Sequence, residues 1–175
     1  MAAMRLLGSM RFKEVLCAQR LWHVTQLMFL AQIPLFVIGI SFRGARVPLE
    51  VYLFAWKVCK NALPIVCNLR KRGVEVKDGC VLCDAEEETL LHALVLCLFA
   101  RLVWALSTLP WLVISRYESG LEGWTQGMRE LDCEDFAIFL VICWSLWNNR
   151  NKWIFEGRRF QAHELLVLCF GLHFG

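Results

Sequence analysis

The sequence predicts a mostly α-helical protein, a small helical module with flanking helices, and three observations lead there. No stretch of useful length alternates apolar and polar residues as a half-buried strand would. The apolar residues gather instead in long runs, 89–106 and 136–155 above all, which exceed ordinary strand lengths. Breakers fall between the runs: Pro64, Gly73 and Gly79 in the first half, Pro110, Gly120, Gly123 and Gly127 in the second.

Composition narrows the class. Of the 175 residues, 58% are hydrophobic and only 20% charged, and the mean hydropathy is +0.48. That excludes a chain that is disordered for want of apolar surface. The formal net charge of +3 is too small to argue for a polyanionic partner by itself. Nine cysteines cannot all pair within one chain. Six of them (Cys17, Cys59, Cys67, Cys133, Cys143 and Cys169) lie in apolar stretches, as small buried hydrophobes do. This usage predicts a reducing, intracellular location, with nucleus and cytoplasm not distinguished.

Taken in order, residues 1–44 form an apolar N-terminal region without a motif. Within it Leu27 to Ile40 is apolar but interrupted by Gln32 and Pro34, and it is shorter than the roughly 18–20 residues of a spanning helix, so a membrane partner is not expected. Ser41 to Pro48 reads as a loop. A helix is predicted from Leu49 toward Leu63, with Lys57 and Lys60 on its wetter side and Pro64 ending it. Ile65 to Arg72 reads as a short second helix closed by Gly73, with Arg70, Lys71 and Arg72 in the last turn, where cations suit the helix dipole. Val74 to Gly79 reads as a short extended segment and turn. Thr89 to Leu106 is a strong helix candidate preceded by acidic residues. Residues 111–135 read as a linker, and 136–175 as a helical segment led by Phe136 to Phe155. The module proper is assigned to 45–110.

One pattern carries chemistry: Cys80-x2-Cys83-x8-His92-x4-Cys97. Zinc favours four tetrahedral thiolate and imidazole ligands, and a Cys-x-x-Cys turn aims two sulfurs at one point. Four protein ligands leave no open position, so such an ion is structural. The spacing imposes a condition. Five residues of ideal α-helix turn through about 500°, which leaves His92 and Cys97 about 140° apart. The helix must therefore end, kink or loosen near Cys97 for both to bind. Against this stands the plainer possibility that the four residues are ordinary core and surface residues.

Residues 53–104 closely resemble the zinc-binding domain found downstream of the reverse transcriptase in plant LINE-type (non-LTR) retrotransposons. The resemblance rests on Phe54 and Trp56; on Asn61, Leu63 and Pro64; on Asn68, Leu69, Arg72 and Gly73; on Cys80 and Cys83; on the acidic Glu86 to Glu88; on His92 and Cys97; and on Trp104. A later segment, Trp144-x-x-Trp147-x-x-Arg150-Asn151, is similar to one that often follows the module there, ahead of an RNase H-like domain that is expected to be absent here. The chain departs from the family at three places: Leu98 stands where proline is usual, Ile65 where threonine is frequent, and Asp84 where glycine is frequent. The resemblance implies one structural zinc ion on Cys80, Cys83, His92 and Cys97, and RNA or DNA as partner.

Lys57, Lys60, Arg70, Lys71, Arg72 and Lys77 are the candidate phosphate contacts, set against the reading of a solvated helix end. Trp56, Trp104, Trp144 and Trp147 can stack on bases, although their apolar neighbourhoods favour core packing. Arg150 and Asn151 can touch a nucleic-acid backbone, although helix termination and local hydrogen bonding are the favoured reading. Glu86 to Glu88 are expected to form an exposed acidic loop. No phosphate loop, no His-Glu-x-x-His, no Gly-x-Ser-x-Gly and no spaced carboxylate set occurs, so no catalytic residue and no small-molecule substrate is expected. The expected function is a non-catalytic zinc-binding accessory module that supports nucleic-acid binding. The alternatives are a membrane-associated or protein-interaction fragment without metal, or the product of a degenerate element with no function.

Overall fold

A computed structural model describes residues 47–84, 87–109 and 131–174. The apolar run 27–40, the loop at Gly44, Glu86 and nearly all of the 111–135 linker lie outside the described residues. Those described are mostly helical, and no strand occurs among them.

Helix α1 spans Leu49–Cys59 and ends sooner than the apolar run suggests. Asn61 takes a left-handed conformation, φ 48°. The Ala62 amide then donates to the Lys57 carbonyl at 2.8 Å and the Asn61 amide to Val58 at 2.9 Å, a paired closure that consumes carbonyls left over at the helix end. The turn that follows is held by Asn68. Its amide nitrogen reaches Asn61 O at 2.9 Å, Asn61 Oδ1 at 3.0 Å and Leu63 O at 2.9 Å. The spacing of Asn61, Leu63 and Asn68 thus has a physical reason, since one side chain closes the corner between two helices. Helix α2, Val66–Lys71, ends the same way at Gly73, φ 76°, with Val74 N bonded to Leu69 O. Residues 74–79 form no regular structure.

The predicted helix from Thr89 to Leu106 is interrupted. A π turn occupies His92–Leu96, Cys97 is extended at φ −53°, ψ 138°, and helix α3 begins afresh over Leu98–Leu106. Helix α4 runs Cys133–Glu156, three residues earlier than Phe136, because the Asp132 carboxylate caps it by accepting from the amides of Glu134 and Asp135 at 2.9 and 2.8 Å. Gly157, φ 66°, closes it. Helix α5, Ala162–Phe174, starts with the Gln161 amide bonded to Glu164 Oε2 at 2.7 Å.

Among the described residues helix α4 is the central element. It touches α1, the π turn and α5, while α5 also lies against α3. Its buried positions run nearly all round the helix, from Phe136 through Leu140 and Ile142 to Trp147, as a helix packed on several sides requires. Trp104 of α3 stacks on Phe139 with centroids 5.5 Å apart. Each such side chain taken fully from water contributes roughly 1.5–3 kcal/mol. The hairpin between α4 and α5 is pinned by buried Asn149, which accepts from the Phe160 amide at 2.7 Å. Among the described residues no helix is long and apolar enough to cross a membrane.

Candidate metal centre

Three local structures deliver the four ligands. The first is the Cys80–Cys83 turn, closed by the Asp84 amide on the Cys80 carbonyl at 2.8 Å. Asp84 sits at φ 56°, the left-handed conformation that glycine adopts without cost, which accounts physically for a glycine preference there. The amides of Leu82 and Cys83 face the Cys80 sulfur and favour its thiolate. The second is the start of the π turn. Thr89 Oγ1 accepts from the His92 amide at 3.0 Å, a side-chain cap on the helical turn that starts at Leu90 and leads into the π turn, and so helps set where the imidazole lies.

The third is the helix break. The Cys97 amide bonds the His92 carbonyl at 2.8 Å, an i to i−5 closure. That wider loop brings position 97 back toward the face of His92, which an α-helix cannot do. Extended Cys97 then opens α3, and the amides of Phe99 and Ala100 favour its thiolate. The expected loosening near Cys97 is therefore present, and it is made without a proline.

The four ligand atoms lie within 4.8 Å of one another. Cys80 Sγ is 3.8 Å from Cys97 Sγ, and Cys83 Sγ is 3.2 Å from His92 Nε2. Zinc–sulfur bonds of about 2.3 Å and zinc–nitrogen bonds of about 2.0–2.1 Å set tetrahedral edges of about 3.8 Å between sulfurs and about 3.6 Å from sulfur to nitrogen. The cluster needs shifts of a few tenths of an ångström to about an ångström to accept one ion. Cys80 and Cys97 are buried, Cys83 and His92 half-buried.

Hydrogen bonding and burial within the cluster shift Cys80, Cys97 and His92. The Cys97 thiol is held below its ordinary range, first because the Cys80 thiol donates to it. Cys80 is pushed up, first by that same hydrogen bond and then by burial. Burial pushes His92 down, toward the neutral imidazole that a metal requires, against the opposing pull of Glu88. Ion binding would displace the shared proton. With three thiolates and an imidazole the donor set fits zinc, and with all four positions filled by protein such a centre holds structure together.

Glu88 corrects an expectation. The acidic run predicts an exposed loop, but Glu88 has no exposed surface. Arg150 of α4 reaches it with two bonds, Nε to Oε1 at 2.9 Å and Nη2 to Oε2 at 2.5 Å. The same Oε2 accepts from the Val66 amide at 3.1 Å and so serves the α2 N-terminus, where Ile65 has no capping side chain. Glu87 is exposed, as expected, and accepts from the Cys67 thiol at 3.2 Å. Arg150 is buried, lies 4.9 Å over the Trp147 ring and also bonds Asn151 Oδ1 at 3.1 Å. Nothing in the sequence distinguishes Glu88 from its acidic neighbours.

The basic candidates divide. Lys60, Lys71, Arg72 and Lys77 are exposed. Arg70 is exposed but paired with Asp78. Lys57 is half-buried, and desolvation lowers its pKa to about 8. Trp104 and Trp147 are core residues, 1% and 3% exposed, while Trp56 and Trp144 are half-buried.

No curated protein and no solved structure matches the chain. Residues 37–104 do match the family described as zinc-binding in reverse transcriptase, and that segment, which holds all four ligands and ends at Trp104, is similar to a reverse transcriptase zinc-binding domain.

Proposed function

We propose that the chain is a zinc-stapled accessory module of a plant LINE-type retrotransposon reverse transcriptase, intracellular and without catalysis of its own, which holds RNA or DNA near a polymerase. The observation that carries this reading is the convergence of Cys80, Cys83, His92 and Cys97 inside the segment similar to that family. The LINE-type and plant assignments rest on the resemblance of residues 53–104. Exposed Lys60, Lys71, Arg72 and Lys77 supply cations outside the core for binding phosphate.

The test is fluorescence anisotropy of zinc-loaded full-length chain with a labelled single-stranded RNA and the same sequence as duplex DNA, across a salt series. Replacing Lys60, Lys71, Arg72 and Lys77 together by alanine should weaken binding and flatten the slope of log K against log salt by about 0.7–0.9 per phosphate no longer neutralised. Unchanged slope and affinity, or no binding by the parent protein, would refute the nucleic-acid role. A second reading, protein interaction, is favoured by the exposed i, i+4, i+8 stripe Leu98, Leu102 and Leu106 on α3. Concentration-dependent sedimentation abolished by Leu102→Asp, with nucleic-acid affinity unaffected, would favour it.

A further inference from the structure

We propose that Arg150 is a positioning residue for the metal centre, so that helix α4, beyond the segment similar to the zinc-binding family, belongs to the metal-binding unit. The inference rests on the zinc-binding reading above and extends it to a residue 53 positions past the last ligand. The connection from Cys83 to His92 passes through Glu88, where a charged pair anchors it to a distant helix. Glu88 stands directly before Thr89, whose hydroxyl fixes the His92 amide. It is held from two sides, by both bonds of the Arg150 guanidinium and by the Val66 amide of α2.

A bidentate bond fixes the carboxylate in direction as well as distance. The Glu88 backbone, and with it the register of Thr89 and His92, therefore follows α4. The α4 helix is itself pressed against the π turn that carries His92 to Cys97. Both carriers of the distal ligands thus take their position from the same helix. The pair is buried, so either partner without the other leaves an uncompensated charge in the core, and the arrangement persists only when α4 is docked. Groups that hydrogen-bond a metal ligand directly typically change metal affinity by about 10–100-fold when removed, and Arg150, which acts through Glu88 and Thr89, is placed at the lower end of that range.

The experiment measures zinc affinity of the full chain by competition with a chromophoric chelator, together with the cobalt-substituted absorption spectrum, below the unfolding transition of every variant. The set is the parent chain, Arg150→Met, Arg150→Lys, and Leu140→Ala, which empties core volume on the same helix without touching Glu88. The expected result is zinc binding weakened about tenfold or more in Arg150→Met, an intermediate loss in Arg150→Lys, a shifted cobalt spectrum in both, and near-parental affinity in Leu140→Ala despite lower thermal stability. An Arg150→Met affinity within about threefold of the parent overturns the proposal, against the same expected range. An equal loss in Leu140→Ala overturns it too, since general destabilisation would then suffice. Should Arg150→Met fail to fold, Arg150→Lys against Leu140→Ala decides the matter by the same criteria. A parent chain that binds no zinc refutes the metal reading itself, a result distinct from any of these.

Discussion

Replacing Trp104 by phenylalanine tests how the break at Cys97 is sustained. In an unbroken α-helix the Leu94 carbonyl would accept from the amide four residues on. Because Cys97 is extended, the Leu94 carbonyl is instead met by the Trp104 indole N–H at 2.8 Å, in a place where both residues are buried. Phenylalanine keeps a ring against Phe139 but has no N–H. A buried carbonyl left without a partner costs about 1–3 kcal/mol. The missing part of the indole leaves a void worth about 1 kcal/mol more. Trp104→Phe should therefore lower unfolding free energy by about 2–4 kcal/mol on those grounds. Half-buried Trp144, on α4, serves as the control, and Trp144→Phe should cost less than about 1 kcal/mol. Urea unfolding of the zinc-loaded protein followed by circular dichroism supplies the measurement, with equal m-values as the condition for comparing midpoints. A loss below about 1 kcal/mol for Trp104→Phe, or one no larger than the control, would show that the indole bond does not support the break.

The other expectations concern the departures from the family pattern and pH. Leu98 is the first residue of α3 and two-thirds exposed, and Cys97 before it already has the extended backbone that a following proline demands. Leu98→Pro should accordingly raise stability by about 0.4–1 kcal/mol in the same unfolding assay, and a decrease would contradict the cap geometry. Asp84→Gly relieves a left-handed conformation at an exposed position; relief of about 1–2 kcal/mol, partly offset by the greater freedom of unfolded glycine, should leave a net gain near 0.5 kcal/mol. His92 has a folded pKa below its ordinary 6.5, so the unfolded chain binds the proton first on acidification. Metal-free protein should lose stability as pH falls below about 6.5, and His92→Gln should remove that part of the pH dependence in thermal melts.

The helices are legible in the sequence because their signals are local. Gly73 after Arg70, Lys71 and Arg72 marks a helix end whatever else the chain does, and the structure closes α2 there. The candidate ligand set follows from spacing only together with the family resemblance, since spacing alone leaves ordinary core and surface residues as an equal reading, while the need for a discontinuity near Cys97 follows from helix geometry. What cannot be read is non-local. Glu88 looks like its acidic neighbours, and only a partner 62 residues away makes it a core residue. The end of α1 at Cys59 and not Leu63 depends on Asn68 holding the corner from the next helix. The early start of α4 is available in principle, since Asp132 followed by Glu134 and Asp135 is a capping pattern, but the apolar run begins later and hides it.

Leu98 at the start of α3 shows that the break at Cys97 does not depend on a proline. Proline would end the preceding helix by steric exclusion. Here the same break has several supports. The Cys97 amide bonds back five residues to His92, the Trp104 indole takes the Leu94 carbonyl left over at the break, and the amides opening α3 face the Cys97 sulfur. The last of these supports strengthens when the sulfur carries charge, because oriented amides at a helix start stabilise a thiolate. Metal and helix break therefore favour one another. A thiolate bound to zinc holds the first turn of α3 in place, and that turn keeps position 97 from continuing the helix that would carry it away from His92.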